Sequence, residues 1–387
     1  MGVRGKPRVD PATEELIMFH STYFPPFVTY SVIPKAKPGG IPESTRICTP
    51  VPGINGPKLM HDFGVSRGYT IIVDLPLKFQ PTNILLNQPV IDYQPSQKTR
   101  FGIFPRHNPD DIRWFQTGAC CIFHTVNSWD TQSPVGGKED NLYVNMLVCR
   151  MNSPSILFTT AGIQPPSWPS EKEGQQCRLY FYQFDLGRSW NAISQQWALS
   201  AIPFEFPHVP KNLALKPARY VYGCSSSEGS FDGALEKAVK VDCLAKIDVE
   251  SLIRQGLDTP PEPITGCIDG RSVEEILKQK RDDDPIQIFK MPPGWYAQEC
   301  SFVPKKGHVE EDSGWLLSYV FDESQLTENG EAKDDARSEL WVIDAQSMSD
   351  IVARIVLPQR VPYGMHGNWF SKEDIEHQRP VTTYRNI

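Results

Sequence analysis

Three apolar runs that lie close together in the chain decide the fold class: WLLSYVF at residues 315–321, ELWVI at 339–343 and IVARIVLP at 351–358. Each run is rich in β-branched and aromatic residues and is bounded by polar, turn-forming stretches, so each predicts a β-strand. A short turn at residues 344–350 joins the second run to the third. Residues 314–358 therefore predict an antiparallel meander of three strands.

Similar runs recur earlier in the chain, as YTIIVDLPL at residues 69–77, LYVNMLVC at 142–149 and RLYFYQFDL at 178–186. The chain has 35 prolines and 27 glycines among 387 residues and is 40% hydrophobic, which indicates a globular protein with many turns and short strands. We predict an all-β fold in which each meander forms one blade of a β-propeller. The sequence has no repeated motif, so the predicted repeat is structural.

Residues 251–285 differ from this pattern because they are charged and proline-rich. They contain the one clear helical periodicity, VEEILKQK at residues 273–280. We interpret the segment as an insertion between blades of a single domain spanning residues 1–387, and we expect no chemistry there.

Charge and cysteine usage exclude several classes of function. The 39 basic and 46 acidic residues are scattered and give a net charge of -7, so no basic face is offered to nucleic acid. The nine cysteines form no CxxC pair, and Cys120 and Cys121 lie in an apolar stretch as predicted core residues. With no signal peptide pattern and no run of about 18 apolar residues, we expect a soluble, cytoplasmic protein with reduced cysteines.

Three of the eight histidines have settings that suit a metal ligand. His61 precedes a predicted strand, His124 lies inside an apolar strand, and His366 lies in a glycine-flanked turn. A lone histidine in an apolar strand is more often a hydrogen-bonded core residue than a ligand. Sequence gaps of 63 and 242 residues are too long for a helical metal motif, so only a closed radial fold such as a propeller brings the three together.

Five segments, in order, give the chain a resemblance to the carotenoid oxygenase family, which includes carotenoid, apocarotenoid and stilbene cleavage enzymes. Together they fall within residues 9–370. They are MHDFGVSRGYTIIVDLPL (60–77), FGIFPRH (101–107) with IRWFQTGACCIFHTVNSWD (112–130), FEFPHV (204–209), AQECSFVPKKGHVEEDSGWLLSYVFD (297–322) and VPYGMHGNWF (361–370).

The resemblance implies a seven-bladed propeller with four histidines that bind ferrous iron on its axis and glutamates behind three of them. Carried over by position, His61, His124 and His366 would be three of the iron ligands. Glu205 and Glu299 would accept hydrogen bonds from the outer N–H groups of two ligands. Such carboxylates fix the imidazole tautomer and offset the charge of the metal. The other five histidines, among them His208, are expected in surface or loop positions.

The implied activity is oxidative cleavage of a C=C bond in a carotenoid or apocarotenoid by O2, giving two carbonyl products. A stilbene substrate is the alternative within the same chemistry, and a catalytically inactive propeller that serves as a scaffold is the alternative from another class. An apolar polyene or stilbene is the expected partner, and peripheral contact with a membrane is the expected route of access.

One position departs from the family pattern. GKPRVDPATEEL at residues 5–16 resembles the stretch around the first family ligand, Ala-His-Pro-Lys-Val-Asp-Pro, but Lys6 stands at the ligand position. An ammonium group cannot coordinate iron. The family's earlier blades and one glutamate have no counterpart in this sequence. We therefore expect a propeller that lacks its first blades and binds iron weakly.

Overall fold

The computed structural model describes residues 3–4, 6–35, 44–86, 89–135, 139–155, 176–188, 190–231, 240–281, 283–364 and 366–378. Most strands of the described residues belong to five sheets of four or five strands each, which follow one another along the sequence. All neighbouring strands are antiparallel except for one parallel pair. The all-β prediction is confirmed.

The first two sheets come from the N-terminal third of the chain. The first contains β1 (Val3–Arg4), β2 (Arg8–Val9), β3 (Leu16–Ser21), β4 (Val28–Ile33) and β5 (Arg46–Pro50). The second contains β6 (Gly64–Val65), β7 (Tyr69–Asp74), β10 (Thr99–Pro105) and β11 (Arg113–Thr117), and the hairpin of β8 (Leu77–Phe79) and β9 (Ile91–Tyr93) separates β7 from β10.

The third sheet has the longest strands: β12 (Cys121–Val135), β13 (Glu139–Met151), β14 (Cys177–Asp185), β15 (Ile193–Ser200) and, later in the chain, β19 (Cys267–Asp269). The fourth sheet contains β16 (Glu205–His208), β17 (Tyr220–Ser225), β18 (Cys243–Asp248) and β20 (Ile286–Lys290). The fifth contains β21 (Trp295–Ala297), β22 (Ser301–Pro304), β23 (Gly314–Asp322), β24 (Glu339–Asp344) and β25 (Ile351–Val356).

The predicted strands at residues 69–77, 142–149, 178–186, 315–321 and 339–343 correspond to β7, β13, β14, β23 and β24. In the fifth sheet β23, β24 and β25 are consecutive neighbours, which confirms the predicted meander. The first strands of successive sheets also contact each other, since β12 packs against both β6 and β16. The first strands of the second, third and fourth sheets are therefore adjacent.

The segment at residues 251–285 leaves the fourth sheet and returns to it. Helix α1 (Val249–Asp258) follows β18, β19 then pairs in parallel with β15 of the third sheet, and helix α2 (Val273–Gln279) precedes β20. Helix α2 confirms the predicted helix, whereas α1 was not predicted. The excursion thus joins two neighbouring sheets at their outer edges. A short helix α3 (Lys372–Glu376) follows the last sheet.

Two hydrophobic cores hold the sheets together. The smaller lies between the first and second sheets, and the larger runs from the second sheet to the fifth. Cys120 and Cys121 are fully buried in the larger core, as predicted. All nine cysteines lie among the described residues and none forms a disulfide.

Candidate functional site

Each of the five sheets contributes one of the predicted residues at its innermost strand. Lys6 lies between β1 and β2, His61 just before β6, His124 within β12, Glu205 at the start of β16, and Glu299 between β21 and β22. His366 follows the fifth sheet and meets Glu299. The radial arrangement therefore gathers residues that are far apart in sequence.

In four of the innermost segments the chain has one extra residue relative to the facing strand where the site residue lies, and β12 has a second between Thr125 and Asn127. Such β-bulges redirect a side chain and leave backbone groups outside the ladder. The bulges fall between Arg4 and Arg8 opposite β3, between Ile122 and Thr125 opposite β13, between Glu205 and His208 opposite β17, and between Ala297 and Ser301 opposite β23.

The three histidine rings lie side by side. The ring centroids of His61 and His124 are 5.0 Å apart and the rings are nearly perpendicular, at 85°. Those of His124 and His366 are 5.1 Å apart at 89°. His124 is thus the central ring of the cluster.

Glu205 lies directly behind His124. Its Oε2 accepts a hydrogen bond of 2.5 Å from Nδ1 of His124 and one of 2.6 Å from the backbone N–H of Phe206. The backbone of Phe206 has a φ of 52°, an unfavourable conformation for a bulky residue, which closes this short turn. Because the carboxylate holds the proton on Nδ1, the lone pair of a neutral His124 ring is on Nε2.

Glu299 stands in the same relation to His366. Its Oε2 lies 3.1 Å from Nδ1 of His366 and accepts the backbone N–H of Gly367 at 3.0 Å. The side chain of His366 is 35% exposed, whereas that of His124 is 7% exposed. Each glutamate thus contacts an imidazole, one pair buried and one near solvent, and their role behind metal ligands stays a prediction.

His61 is held differently. Its Nδ1 lies 2.8 Å from the backbone carbonyl oxygen of Phe123, the residue before His124. A carbonyl only accepts, so Nδ1 of His61 carries the proton. Burial lowers the pKa of His61, and the neighbouring His124 lowers it further, so the ring is neutral near pH 7.

Lys6 reaches the same cluster. Its Nζ lies 3.4 Å from Nδ1 of His366. Burial lowers the pKa of Lys6, while the carboxylates of Asp62 and Glu299 oppose that effect. A side chain with a cationic form thus borders the histidines at the position where the family pattern has a ligand.

The types of these residues suit a metal centre, and their positions suit one in part. Nε2 of His124 is buried and has no hydrogen-bond partner among the described residues, although its ring lies beside two other imidazoles. A buried acceptor without a partner is costly unless a ligand satisfies it. In the described part of the chain, however, no three His, Cys, Asp or Glu side chains are already spaced to hold a metal ion. Ligation by His61, His124 and His366 stays a prediction.

His208 is less ordinary than its sequence setting suggested. It ends β16 and is partly buried. Burial lowers its pKa to about 4, and Glu299 and Lys211 act on it in opposite directions. The unfolded chain would bind a proton near pH 6.5 that the folded chain accepts only near pH 4.

The free energy of unfolding should therefore decrease as the pH drops from 6.5 to 4. In His208→Gln this decrease should be smaller by about 1–2 kcal/mol. Urea unfolding at pH 7 and pH 4.5 measures it, with the exposed His308→Gln as control. An unchanged pH dependence in His208→Gln would show that His208 titrates normally.

Known proteins match this chain along nearly its whole length. The family model described as retinal pigment epithelial membrane protein (RPE65) matches residues 3–371. The carotenoid dioxygenase carX of Gibberella fujikuroi is 46% identical over 99% of this chain and 60% of its own length. The chain thus spans about three-fifths of that relative.

Two solved structures share the fold. The cobalt-substituted apocarotenoid oxygenase of Synechocystis superposes with a TM-score of 0.65 at 19% identity, covering 95% of this chain and 65% of the other. The lignostilbene dioxygenase of Pseudomonas brassicacearum superposes with a TM-score of 0.64 at 18% identity, covering 93% and 64%.

An all-β chain whose successive sheets bring histidines and carboxylates together at their first strands defines a propeller-type scaffold. The chain belongs to the RPE65 or carotenoid oxygenase family, as the resemblance indicated. Solved structures of this type are seven-bladed propellers, so the predicted fold class is confirmed. That the chain lacks the first blades stays a prediction.

Proposed function

We propose that this protein is a non-haem Fe(II)-dependent dioxygenase that cleaves a C=C bond of a carotenoid or apocarotenoid. The observation that supports this most strongly is the buried His124, whose Nδ1 is bonded to Glu205 and whose Nε2 has no partner among the described residues. His61, His124 and His366 would hold the iron through neutral imidazoles, which suit Fe(II). The cobalt-substituted structural relative is consistent with a metal at such a site.

The side chains of this protein prepare the site. Glu205 and Glu299 hold the Nδ1 protons of two rings and supply negative charge behind them. The Phe123 carbonyl holds the Nδ1 proton of His61. Ferrous iron, when bound, would supply the redox chemistry that activates O2 beside an alkene. Both oxygen atoms end in the products, since one C=C bond and one O2 give two C=O groups.

Aromatic side chains favour an apolar substrate beside these histidines. The ring of Phe206 lies 5.6 Å from that of His124 and 5.8 Å from that of His366, and Phe123 lies 5.4 Å from His61. A polyene would meet aromatic hydrocarbon on this side of the histidines. The 46% identical relative is named a carotenoid dioxygenase, which favours a carotenoid over a stilbene.

We also propose that a patch of exposed apolar residues contacts a membrane. Phe24 is 78% exposed and Leu85 is 88% exposed. Their loops are neighbours, because the ring of Tyr23 packs 4.7 Å from Phe79 of β8. No helix in the described part of the chain is long and apolar enough to cross a bilayer, so the contact proposed is peripheral.

Replacing Phe24 and Leu85 together by serine should weaken co-sedimentation with phosphatidylcholine vesicles severalfold. Val309→Ser, which changes a residue 93% exposed in the loop between β22 and β23, is the matched control. Equal sedimentation of all three proteins would remove the patch from the proposal.

The proposed function is tested by measuring bound iron and O2 consumption with an apocarotenoid and with a hydroxystilbene, and identifying the carbonyl products. Iron-dependent cleavage of the apocarotenoid supports the proposal, and cleavage of the stilbene alone would select the alternative substrate. Iron-free protein without turnover on either compound would favour an inactive scaffold.

Glu205→Gln and Glu299→Gln should each lower iron affinity by about 10–100-fold, because each keeps the shape of the side chain and removes its charge. The buried Glu205 should show the larger loss, since solvent reaches the His366 side chain, which is 35% exposed, and partly compensates that pair. Glu311→Gln, at a carboxylate that binds the backbone of Arg219 and Tyr220, is the control. Unaltered iron affinity in both site variants would remove them from the metal centre.

A further inference from the structure

The bulge in β12 exposes two backbone groups that hold the segment containing His61. Between Ile122 and Thr125 the strand has one residue more than β13 opposite it. Groups freed from a ladder need other partners. The Phe123 carbonyl accepts from Nδ1 of His61 at 2.8 Å, and the Thr125 N–H donates to Oδ2 of Asp62 at 2.9 Å. The two backbone groups at the bulge therefore bind two consecutive side chains, His61 and Asp62.

Asp62 is the centre of this junction. Its side chain is 1% exposed, and Oδ2 also accepts from Nη2 of Arg8 at 2.7 Å and from Oγ1 of Thr125 at 3.0 Å. Its other oxygen, Oδ1, accepts the N–H of Phe63 at 2.9 Å. A carboxylate this well hydrogen-bonded is stable when buried, and removing its charge leaves several donors unsatisfied.

Arg8 joins a third segment to the junction. Nη2 of Arg8 contacts the carbonyl oxygen of Thr125 at 2.9 Å and its Oγ1 at 2.7 Å, in addition to Asp62. Innermost strands of the first, second and third sheets thus meet at one carboxylate. These contacts hold β12 in one position relative to the segment that contains His61.

We propose that Asp62 is a positioning residue for His61: by locking the bulge of β12 in place through Thr125 and Arg8, it keeps the Phe123 carbonyl on Nδ1 of His61 and so directs Nε2 to the metal. The hydrogen bonds of the Asp62 side chain go to Arg8, Thr125 and Phe63, so it acts on the imidazole through Thr125 and the strand. The inference rests on the proposed function, because it assigns the tautomer that an iron ligand needs.

A purely structural ion pair would also be buried and would also stabilise the fold. The two roles differ in their effect on one proton. If Asp62 only stabilises, its loss lowers the free energy of unfolding and leaves the proton of His61 on Nδ1. If it positions, its loss also lets His61 exchange the Phe123 carbonyl for other partners, and the Nε2–H tautomer becomes populated.

The test uses the full chain with ¹⁵N-labelled histidine and compares wild type with Asp62→Asn and the milder Thr125→Val, which removes only the hydroxyl contacts. Imidazole ¹⁵N shifts of the metal-free protein give the tautomer of His61, with His61→Gln to assign its signals. Co(II) titration followed by visible absorption gives affinity and coordination geometry. Asp284→Asn is the control, because Asp284 is a comparably buried carboxylate paired with Arg271 and contacts none of the site residues named above.

We expect an Nδ1–H tautomer in wild type, a mixture in Asp62→Asn, and at least about tenfold weaker Co(II) binding in that variant, with a smaller change in Thr125→Val. An Nδ1–H tautomer and Co(II) affinity that stay as in wild type in both variants would overturn the inference. If Asp62→Asn does not fold, Thr125→Val decides by the same criterion. If wild type binds no Co(II), the proposed function fails, whereas the tautomer measurement still decides the role of Asp62.

Discussion

His124→Ala is expected to lower Fe(II) affinity by more than about 100-fold and to abolish alkene cleavage. Loss of a residue behind a ligand typically costs about 10–100-fold, and loss of the central donor should cost more. His124 is the ring that contacts both of the others. Its removal also takes away the proton donor of the buried Glu205. Iron content and Co(II) titration measure the first effect, and O2 uptake the second.

The same variant should be less stable even without metal, by about 3 kcal/mol, because a buried carboxylate loses its partner. His308→Ala, at an exposed loop histidine, is the control and should change neither property. His366→Ala should bind metal weakly but lose less stability, since the His366 side chain is 35% exposed and solvent can replace it. Wild-type iron content in His124→Ala would remove the central residue from the proposed metal centre.

The long strands could be predicted from sequence because they alternate or are continuously apolar over five residues or more. β23 and β24 are of this kind, and their order along the chain already indicated a meander. The two-residue strands β1, β2 and β6 gave no signal, since no periodicity exists over two residues. They are strands because each pairs with a longer strand of its own sheet, β3 or β7.

Helix α1 was missed for a related reason. It starts immediately after β18 with Asp248 as its N-cap, so no turn separates the two patterns. Gly256 interrupts the helical pattern, yet a side chain there would collide with Trp197, whose ring lies 2.5 Å from the place of a Cβ atom. The glycine is explained by tertiary packing, which local propensity does not contain.

The site residues were indicated by family motifs, while their surroundings were not predictable. Glu205 could as easily have been a solvated turn residue, and only the bulge after it turns the carboxylate towards His124. The Phe123 carbonyl is a backbone group and has no sequence signature. Its role depends on the register between β12 and β13, which single-strand patterns do not fix.

Lys6→His is expected to raise metal affinity by about 100-fold or more, through two separate effects. A cation beside a dication is repelled by several kcal/mol at short range when the effective dielectric constant is near 20. Loss of the Lys6 proton limits that cost, because burial already lowers its pKa. The imidazole would then replace the amine beside His366 by a neutral donor, provided that its ring reaches past Nδ1, which Glu299 holds, to the metal-facing side.

Lys6→Met separates the two effects, since it removes the charge without adding a donor and should account for about tenfold of the gain. Lys278→Met, on the exposed face of α2, makes the same change in net charge away from the site residues and should leave affinity unaltered. Co(II) titration of the three variants and wild type at one ionic strength measures the series. If Lys6→Met and Lys6→His bind equally, position 6 only repels the metal and its side chain does not reach a coordination position. If neither differs from wild type, the Lys6 contact with His366 has no bearing on metal binding, and the carry-over of a ligand position to residue 6 is wrong.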